Sequence, residues 1–359
     1  MNETLARFPL PAAQRGRFEV RCRNGGRGRV AVALATRWRR GETHARFLTI
    51  LLCVVAAGWS ASGNAQTWTP PANEDRCPSR WGAGDERGSA NHMGTATVMR
   101  AAQLIRAGEF ADLGHMLNGS IPLGARHFDV YMKPMFMNPE PNRRGSNEEL
   151  VVAEIGQVGT QFDGFSHQTI GGWLYNCYEV ADTMGRDGFS RLGVENVGTL
   201  MTRGVLLDIA ELKGVDMLPV DYEITAADLE DELARHELTI DPGDAVIINT
   251  GWGVYWYEDP ARFMASAPGI GVEAAQWLAS RDPMLVGADN QAVEIQPNPD
   301  PELSLPVHQI MLVVNGIHLL ERLKLDELVG RDVHEFALVL QPLKIEGATG
   351  STVAPTAIW

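Results

Sequence analysis

The spacing of apolar and polar positions changes along the chain, and each change marks an element. Residues 95–107 carry apolar side chains at helical spacing (Val98, Ala101, Ala102, Leu104, Ile105) and stop at Gly108, which predicts a helix with a glycine terminator. Residues 150–158 read as a strand, and the largely apolar runs at 204–210 and 245–250 predict buried strands. Thr225 is a suitable N-cap for a helix over 226–236, and Asp241-Pro-Gly-Asp244 follows as a turn. Residues 271–280 are helical in pattern, 284–287 form a further strand, 310–321 are apolar around a break at Asn315-Gly316, and 338–345 close the series. Helices and strands mix without regular βαβ alternation or an internal repeat, so the expectation is one α/β domain. Residues 66–92 predict an irregular arm, and 131–146, with three Met and three Pro, a long loop suited to a lid. Arg143 and Arg144 in that loop read as solvated charges, or as a contact for a substrate carboxylate.

With 359 residues, 45% of them apolar and 21% charged, the composition is that of a globular protein and excludes collagen-like or disordered chains. Charge is spread unevenly. Residues 1–65 hold eleven Arg, no Lys and three acids, so the rest of the chain carries −22 against −14 for the whole. The basic stretch leads into an apolar run over 47–58 and a small-residue site at Gly63-Asn64-Ala65, the pattern of a secretory signal. Its basic region is longer than an ordinary signal, which points to a start codon further downstream. The expectation is a mature protein from about residue 66, periplasmic or secreted; the rival reading is a buried helix. Cys77 and Cys177 then remain, either as one disulfide or as two small apolar side chains. The acidic mature surface argues against nucleic acid and anionic membrane as partners.

Chemistry concentrates in one segment, Gln157-Val-Gly-Thr-Gln161-Phe-Asp163-Gly-Phe-Ser-His167. Gln157, Gln161, Asp163 and His167 share one parity, so an extended chain projects all four to one side, with Gly159 leaving room between the glutamines. Two amide oxygens, a carboxylate and an imidazole on one face suit a divalent metal. The plain alternative is a polar strand edge facing solvent.

The segment resembles the signature His-x-Gly-Thr-His-x-Asp-x-Pro-x-His of the cyclase family of metal-dependent, kynurenine formamidase-like hydrolases. Gly159, Thr160, Asp163 and His167 match; Gln157 and Gln161 stand for two histidines and Phe165 for the proline. Similar blocks recur at Arg203–Asp208, Pro242-Gly-Asp244 with Thr250-Gly-Trp252, and Pro342–Gly347. The glutamine form resembles a branch that includes trans-dienelactone hydrolase. The resemblance implies a β/β/α fold with a mixed sheet over residues 93–359 and a homo-oligomer. It also implies a metal site at Gln157, Gln161, Asp163, His308 and Glu321, with His167 as general base.

Neutral, hard amide oxygens in place of imidazoles shift the site toward Mn²⁺ or Mg²⁺ and away from tight Zn²⁺. A divalent ion, Mn²⁺ or Zn²⁺, is the expected cofactor, one rather than two. The implied activity is hydrolysis of an amide, arylformamidase-like or cyclic, on a small-molecule substrate. The rivals are a lactone hydrolase and an inactive binding protein of the same fold. Trp173, Tyr175 and Trp252, with Trp256, are candidates for an aromatic substrate pocket. No Gly-x-Gly-x-x-Gly, P-loop or Gly-x-Ser-x-Gly element supports a nucleotide cofactor or a serine nucleophile.

Overall fold

A computed structural model describes residues 68–359. The basic stretch and expected signal over 1–65 lie outside the described residues. No helix among the described residues is long and apolar enough to cross a membrane.

Nine strands form one mixed sheet: β1 (Phe110–Asp112), β2 (Gln161–Asp163), β3 (Leu200–Asp208), β4 (Ala245–Asn249), β5 (Leu285–Ala288), β6 (His318–Glu321), β7 (Glu335–Leu340), β8 (Gly350–Thr352) and β9 (Thr356–Ile358), in the order β1-β9-β7-β3-β4-β5-β6-β2-β8. The four central strands β3 to β6 run parallel, and the flanking pairs are antiparallel. Strand alternation divides the apolar runs between two cores. Val205, Leu207, Val246, Ile248, Val286 and Leu319 enter one, and Leu206, Ala245, Ile247, Leu285 and Leu320 the other. That is why these runs lack polar alternation.

The longest helices among the described residues are α1 (Thr95–Ala102), α2 (Ala226–Arg235) and α3 (Val272–Ser280). Thr225 and Asp228 form a reciprocal capping box at the start of α2, and Leu229 and Leu233 of α2 join Ala275 and Leu278 of α3 in the first core. Helix α1 stops five residues short of the expected end, and the strand expected over 338–345 is the earlier β7.

Two sequence expectations are corrected. The loop expected at 131–146 is a projecting antiparallel hairpin, with Phe128–Met132 paired to Glu149–Ala153 and Phe136–Met137 to Gly145–Ser146. Pro134, Pro139 and Pro141 fall between the paired residues, where no ladder hydrogen bond is required of them. The strand expected over 150–158 ends at Ala153, and a turn follows. The cysteines are linked: Cys77 and Cys177 form a disulfide with Cα atoms 6.0 Å apart, tying the arm to the loop after Trp173. Beside this link the arm forms a helical turn at Asn73–Arg76 and a 3₁₀ turn at Gly88–His92.

Candidate active site

Strands β2 and β6 lie side by side, with Gln161 opposite Glu321 and Asp163 opposite Leu319. Alternation sends Phe162 into one core and turns Gln161, Asp163 and Glu321 to the other face. The shared-parity argument holds for Gln161 and Asp163 alone. Gln157 stands on the turn before β2 and His167 on the turn after it, where its N–H bonds Gly164 O at 3.1 Å. Gly159 has φ +72°, and a Cβ there would collide with Leu117. The turn needs that glycine; it is not a gap between the two glutamines.

These segments nonetheless bring the side chains together. His308 Nε2 lies 3.7 Å from Asp163 Oδ2 and 3.2 Å from Glu321 Oε1, and His167 Nε2 is 3.9 Å from Asp163 Oδ1. Ligand atoms of Asp163, His167 and His308 all lie within 4.8 Å of one another. Asp163, His308 and Glu321 are buried, while the His167 side chain keeps 20% exposure and forms the open side. Among the described residues Asp163 Oδ2 has no hydrogen-bond partner. A fully buried carboxylate oxygen left unpaired beside an imidazole nitrogen and a second carboxylate is the arrangement a divalent cation completes.

Charge follows the same geometry. Burial pushes the Asp163 carboxyl up, His167 pulls it back and Glu321 pushes it further up. Burial also acts against the Glu321 anion, yet Arg322 and His308 hold that carboxyl below its usual range. Burial opposes a charged His308, but its bonds to Glu294 and Glu321 prevail and raise it well above an ordinary imidazole.

Two residues beyond the expected set complete the centre. Glu294 is wholly buried and accepts from His308 Nδ1 at 2.5 Å and from the backbone N–H groups of Val307 and His308 at 3.2 and 3.1 Å. Nδ1 thus carries a proton, and Nε2 faces Asp163 and Glu321. Arg322 donates to Gln157 O at 3.1 Å and Gln161 Oε1 at 3.3 Å, and lies 3.1 Å from Glu321 Oε2. Glu294 has no ligand-type spacing to any matched position, so its sequence context did not identify it. Arg322 had one signal, its place directly after Glu321 in Leu320-Glu-Arg-Leu.

The glutamines occupy a different place from the one expected. Gln161 Nε2 donates to Gln157 Oε1 at 3.0 Å and to Asp163 Oδ1 at 2.5 Å, while its Oε1 accepts from Arg322. Gln157 Oε1 also accepts from Arg126 at 3.3 Å, and its Nε2 donates to His167 Nδ1 at 3.2 Å. Both amide oxygens therefore already face cationic or N–H donors, which oppose a metal ion. In this structure the glutamine amides are engaged with Asp163, His167, Arg126 and Arg322. With Nδ1 accepting, the His167 proton sits on Nε2, toward Asp163.

Backbone strain is present at three of the segments that deliver these groups. Val293, Leu305 and Arg322 have φ of 62°, 50° and 58°, a conformation rare for side chains larger than glycine, and they adjoin Glu294, the helical turn carrying His308, and Glu321. A π-helix over Gln309–Asn315 follows His308 directly.

The expected aromatic pocket is only partly present. Trp252 and Trp256 are 1% exposed and pack with Phe263 in a separate core. Tyr175 packs on Phe165 and donates to Asp85 at 2.7 Å, so it anchors the arm. Trp173 alone is partly exposed, on the loop after His167 that Gln309 ties down by donating to Thr169 O. His318, unassigned from sequence, is a core imidazole stacked on Phe165, and burial lowers it to about 4.

A family model described as putative cyclase matches residues 111–295, just over half of the chain. A solved structure described as a novel cyclase is 33% identical, with a TM-score of 0.71 over 78% of this chain and 98% of that one. Isatin hydrolase A from Ralstonia solanacearum is 22% identical, with a TM-score of 0.51 over 69% of this chain and 91% of its own. Isatin hydrolase A from Labrenzia aggregata is 21% identical, with a TM-score of 0.53 over 72% and 94%. The two share the fold. No curated protein matches the chain.

Proposed function

Because this chain belongs to the putative cyclase family, we propose that it is a metal-dependent hydrolase of an amide bond, acyl or cyclic. The observation that carries the reading is the convergence of His308 Nε2, Asp163 and Glu321 around an unpaired buried oxygen, with His167 on the open side. Asp163, His308 and Glu321 would hold the ion, and their mixed nitrogen and oxygen donors suit Mn²⁺ or Zn²⁺. When bound, such an ion lowers the pKa of a coordinated water and polarises the carbonyl.

The remaining steps belong to the protein. His167 presents Nε2 to the reacting atoms. To act as base there it must hold its proton on Nδ1, which requires the Gln157 amide to turn its Oε1 to that nitrogen. It then takes a proton from the attacking water at Nε2 and returns it to the leaving nitrogen. Asp163, fixed by Gln161, keeps the imidazole oriented as it gains charge. Glu294 fixes the tautomer of His308. Trp173, partly exposed on the loop after His167, would border a substrate. The cyclic amide is favoured by the fold shared with the isatin hydrolases; a lactone is the second reading, carried by the glutamine variant of the signature.

The deciding experiment measures bound metal in the purified protein and assays isatin, N-formylkynurenine and an unsaturated lactone side by side. Stoichiometric metal with amide turnover that Asp163→Asn abolishes is the expected result. Absence of both metal and turnover supports a binding protein instead. Export is supported by the sequence of residues 1–65 and by the Cys77–Cys177 disulfide. A homo-oligomer is supported by the apolar hairpin, where Val130, Tyr131, Met132, Leu150, Val151 and Val152 are all exposed.

A further inference from the structure

A second cluster with metal-binding chemistry stands at the carboxyl end of β3, three strands away from β6. Glu211 lies in the helical turn that follows β3, His236 caps the end of α2, and His334 directly precedes β7. One ligand atom from each lies within 4.8 Å of the others, although the three residues come from separate parts of the chain. The imidazoles stack with centroids 3.6 Å apart.

Beneath the rings lies Glu232, wholly buried, its Oε1 3.2 Å from His236 Nε2 and accepting from Asp208 N at 3.3 Å. Among the described residues, neither Glu232 Oε2 nor His236 Nε2 has a hydrogen-bond partner. The buried Glu232 Oε2, without a hydrogen-bond partner beside these donors, is left open to a positive charge. Arg235 supplies it only in part: it donates to Glu211 at 2.6 Å but remains 3.6 Å from Glu232 Oε2. His334 donates from Nδ1 to Leu206 O at 3.3 Å, which leaves Nε2 as its metal-binding atom, occupied now only by the largely exposed Asp332 at 3.0 Å.

We propose that Glu211, His236 and His334, with Glu232 beneath them, form a second site for a divalent transition metal of the Zn²⁺ class. Two imidazoles with carboxylates select such an ion over Ca²⁺ or Mg²⁺. Bound there, it ties α2, the turn after β3 and the start of β7 into one unit, remote from the centre that carries Asp163. Its role is structural, since it stabilises the folded chain by binding it alone.

The test uses the full-length, tag-free protein, stripped with chelator and titrated with Co²⁺ and Zn²⁺. Bound ion is counted by mass spectrometry, and the Co²⁺ site is followed by visible absorption. Asp163→Asn with His308→Gln removes the first centre, and that chain is expected to retain one ion per chain and to gain thermal stability from Zn²⁺. His236→Gln and His334→Gln, each in the otherwise wild-type chain, are expected to lose one ion per chain. Their loss of affinity should exceed the roughly 10–100-fold typical of removing an outer-sphere partner. Arg235→Gln, which removes the competing cation, is expected to bind more tightly. An unchanged ion count in both histidine variants overturns the proposal. So does weaker binding in Arg235→Gln, which would make Arg235 itself the counter-ion that the carboxylates require.

Discussion

Glu294 accepts from His308 Nδ1 at 2.5 Å, and the same carboxylate receives the two backbone N–H groups that begin the His308 turn. One buried acid thus fixes the position, orientation and tautomer of the histidine at the centre. Glu294→Gln is nearly isosteric but loses the anion. The expected outcome is roughly 10–100-fold weaker metal binding with the fold retained, read by competitive chelator titration beside circular dichroism.

His167 is expected to behave differently from His308. His167→Ala should reduce kcat by about 10²–10⁴ while metal content stays near that of the wild type. Exogenous imidazole should restore part of the rate, because His167 stands on the open side of the centre. Loss of the metal in this variant would make His167 a ligand and overturn its assignment as proton carrier.

Acid should destabilise the fold through buried neutral imidazoles. Burial lowers His115, stacked on Trp256, from 6.5 to about 4, and the charge of Lys324 acts in the same direction. Between those values the unfolded chain binds a proton that the folded chain refuses. His115 therefore costs nothing above pH 6.5, and stability falls as pH drops from 6.5 toward 4. The contribution between pH 7 and pH 5 is about 2 kcal/mol. Denaturant titrations at both pH values should show this loss, and His115→Gln should reduce it.

Reduction should loosen the arm. The Cys77–Cys177 bond joins residues 100 apart in sequence, and removing a native link of this kind costs about 2–5 kcal/mol. Urea midpoints with and without reductant, and in Cys77→Ser with Cys177→Ser, measure it. Equal midpoints would mean that buried contacts such as Trp68 and the Tyr175–Asp85 hydrogen bond hold the arm unaided.

A buried ion pair in the sheet gives a further test. Asp244, fully buried, pairs with Arg203 at 2.7 Å and Arg100 at 2.6 Å. Burial raises its carboxyl while both arginines pull it down. Arg203→Met should destabilise by about 3–5 kcal/mol, because it strips one cation from a desolvated anion. Asp244→Asn in the same background should recover part of that loss in a thermal melt.

The central strands and α2 were legible because local signals agreed with their surroundings. Residues 245–248 are apolar throughout since both faces of β4 are covered, and Thr225 caps α2 through its own side chain. The hairpin at 128–153 was hidden because its strands project into solvent and show no inward apolar face. Asp163, His167, His308 and Glu321 were legible as a group through a resemblance, whereas their arrangement was not. Parity along an extended segment is not what brings Gln157 and His167 together beside Asp163, since each reaches there from a turn. The task of the glutamines depends on Arg126 and Arg322, which no local spacing connects to them. Tyr175 and Trp252 looked available as aromatics but fill packing positions, the commoner fate of large rings.

Strand β2 is only three residues long, clamped between β6 on one side and β8 on the other. Sliding it by a single step against either neighbour would exchange Phe162 for Asp163, delivering a phenyl ring where a carboxylate is needed. Residues 350–352 thus act as a latch: though they contribute no reacting group, fraying there would scramble the chemistry on the adjoining strand before it unfolded anything else.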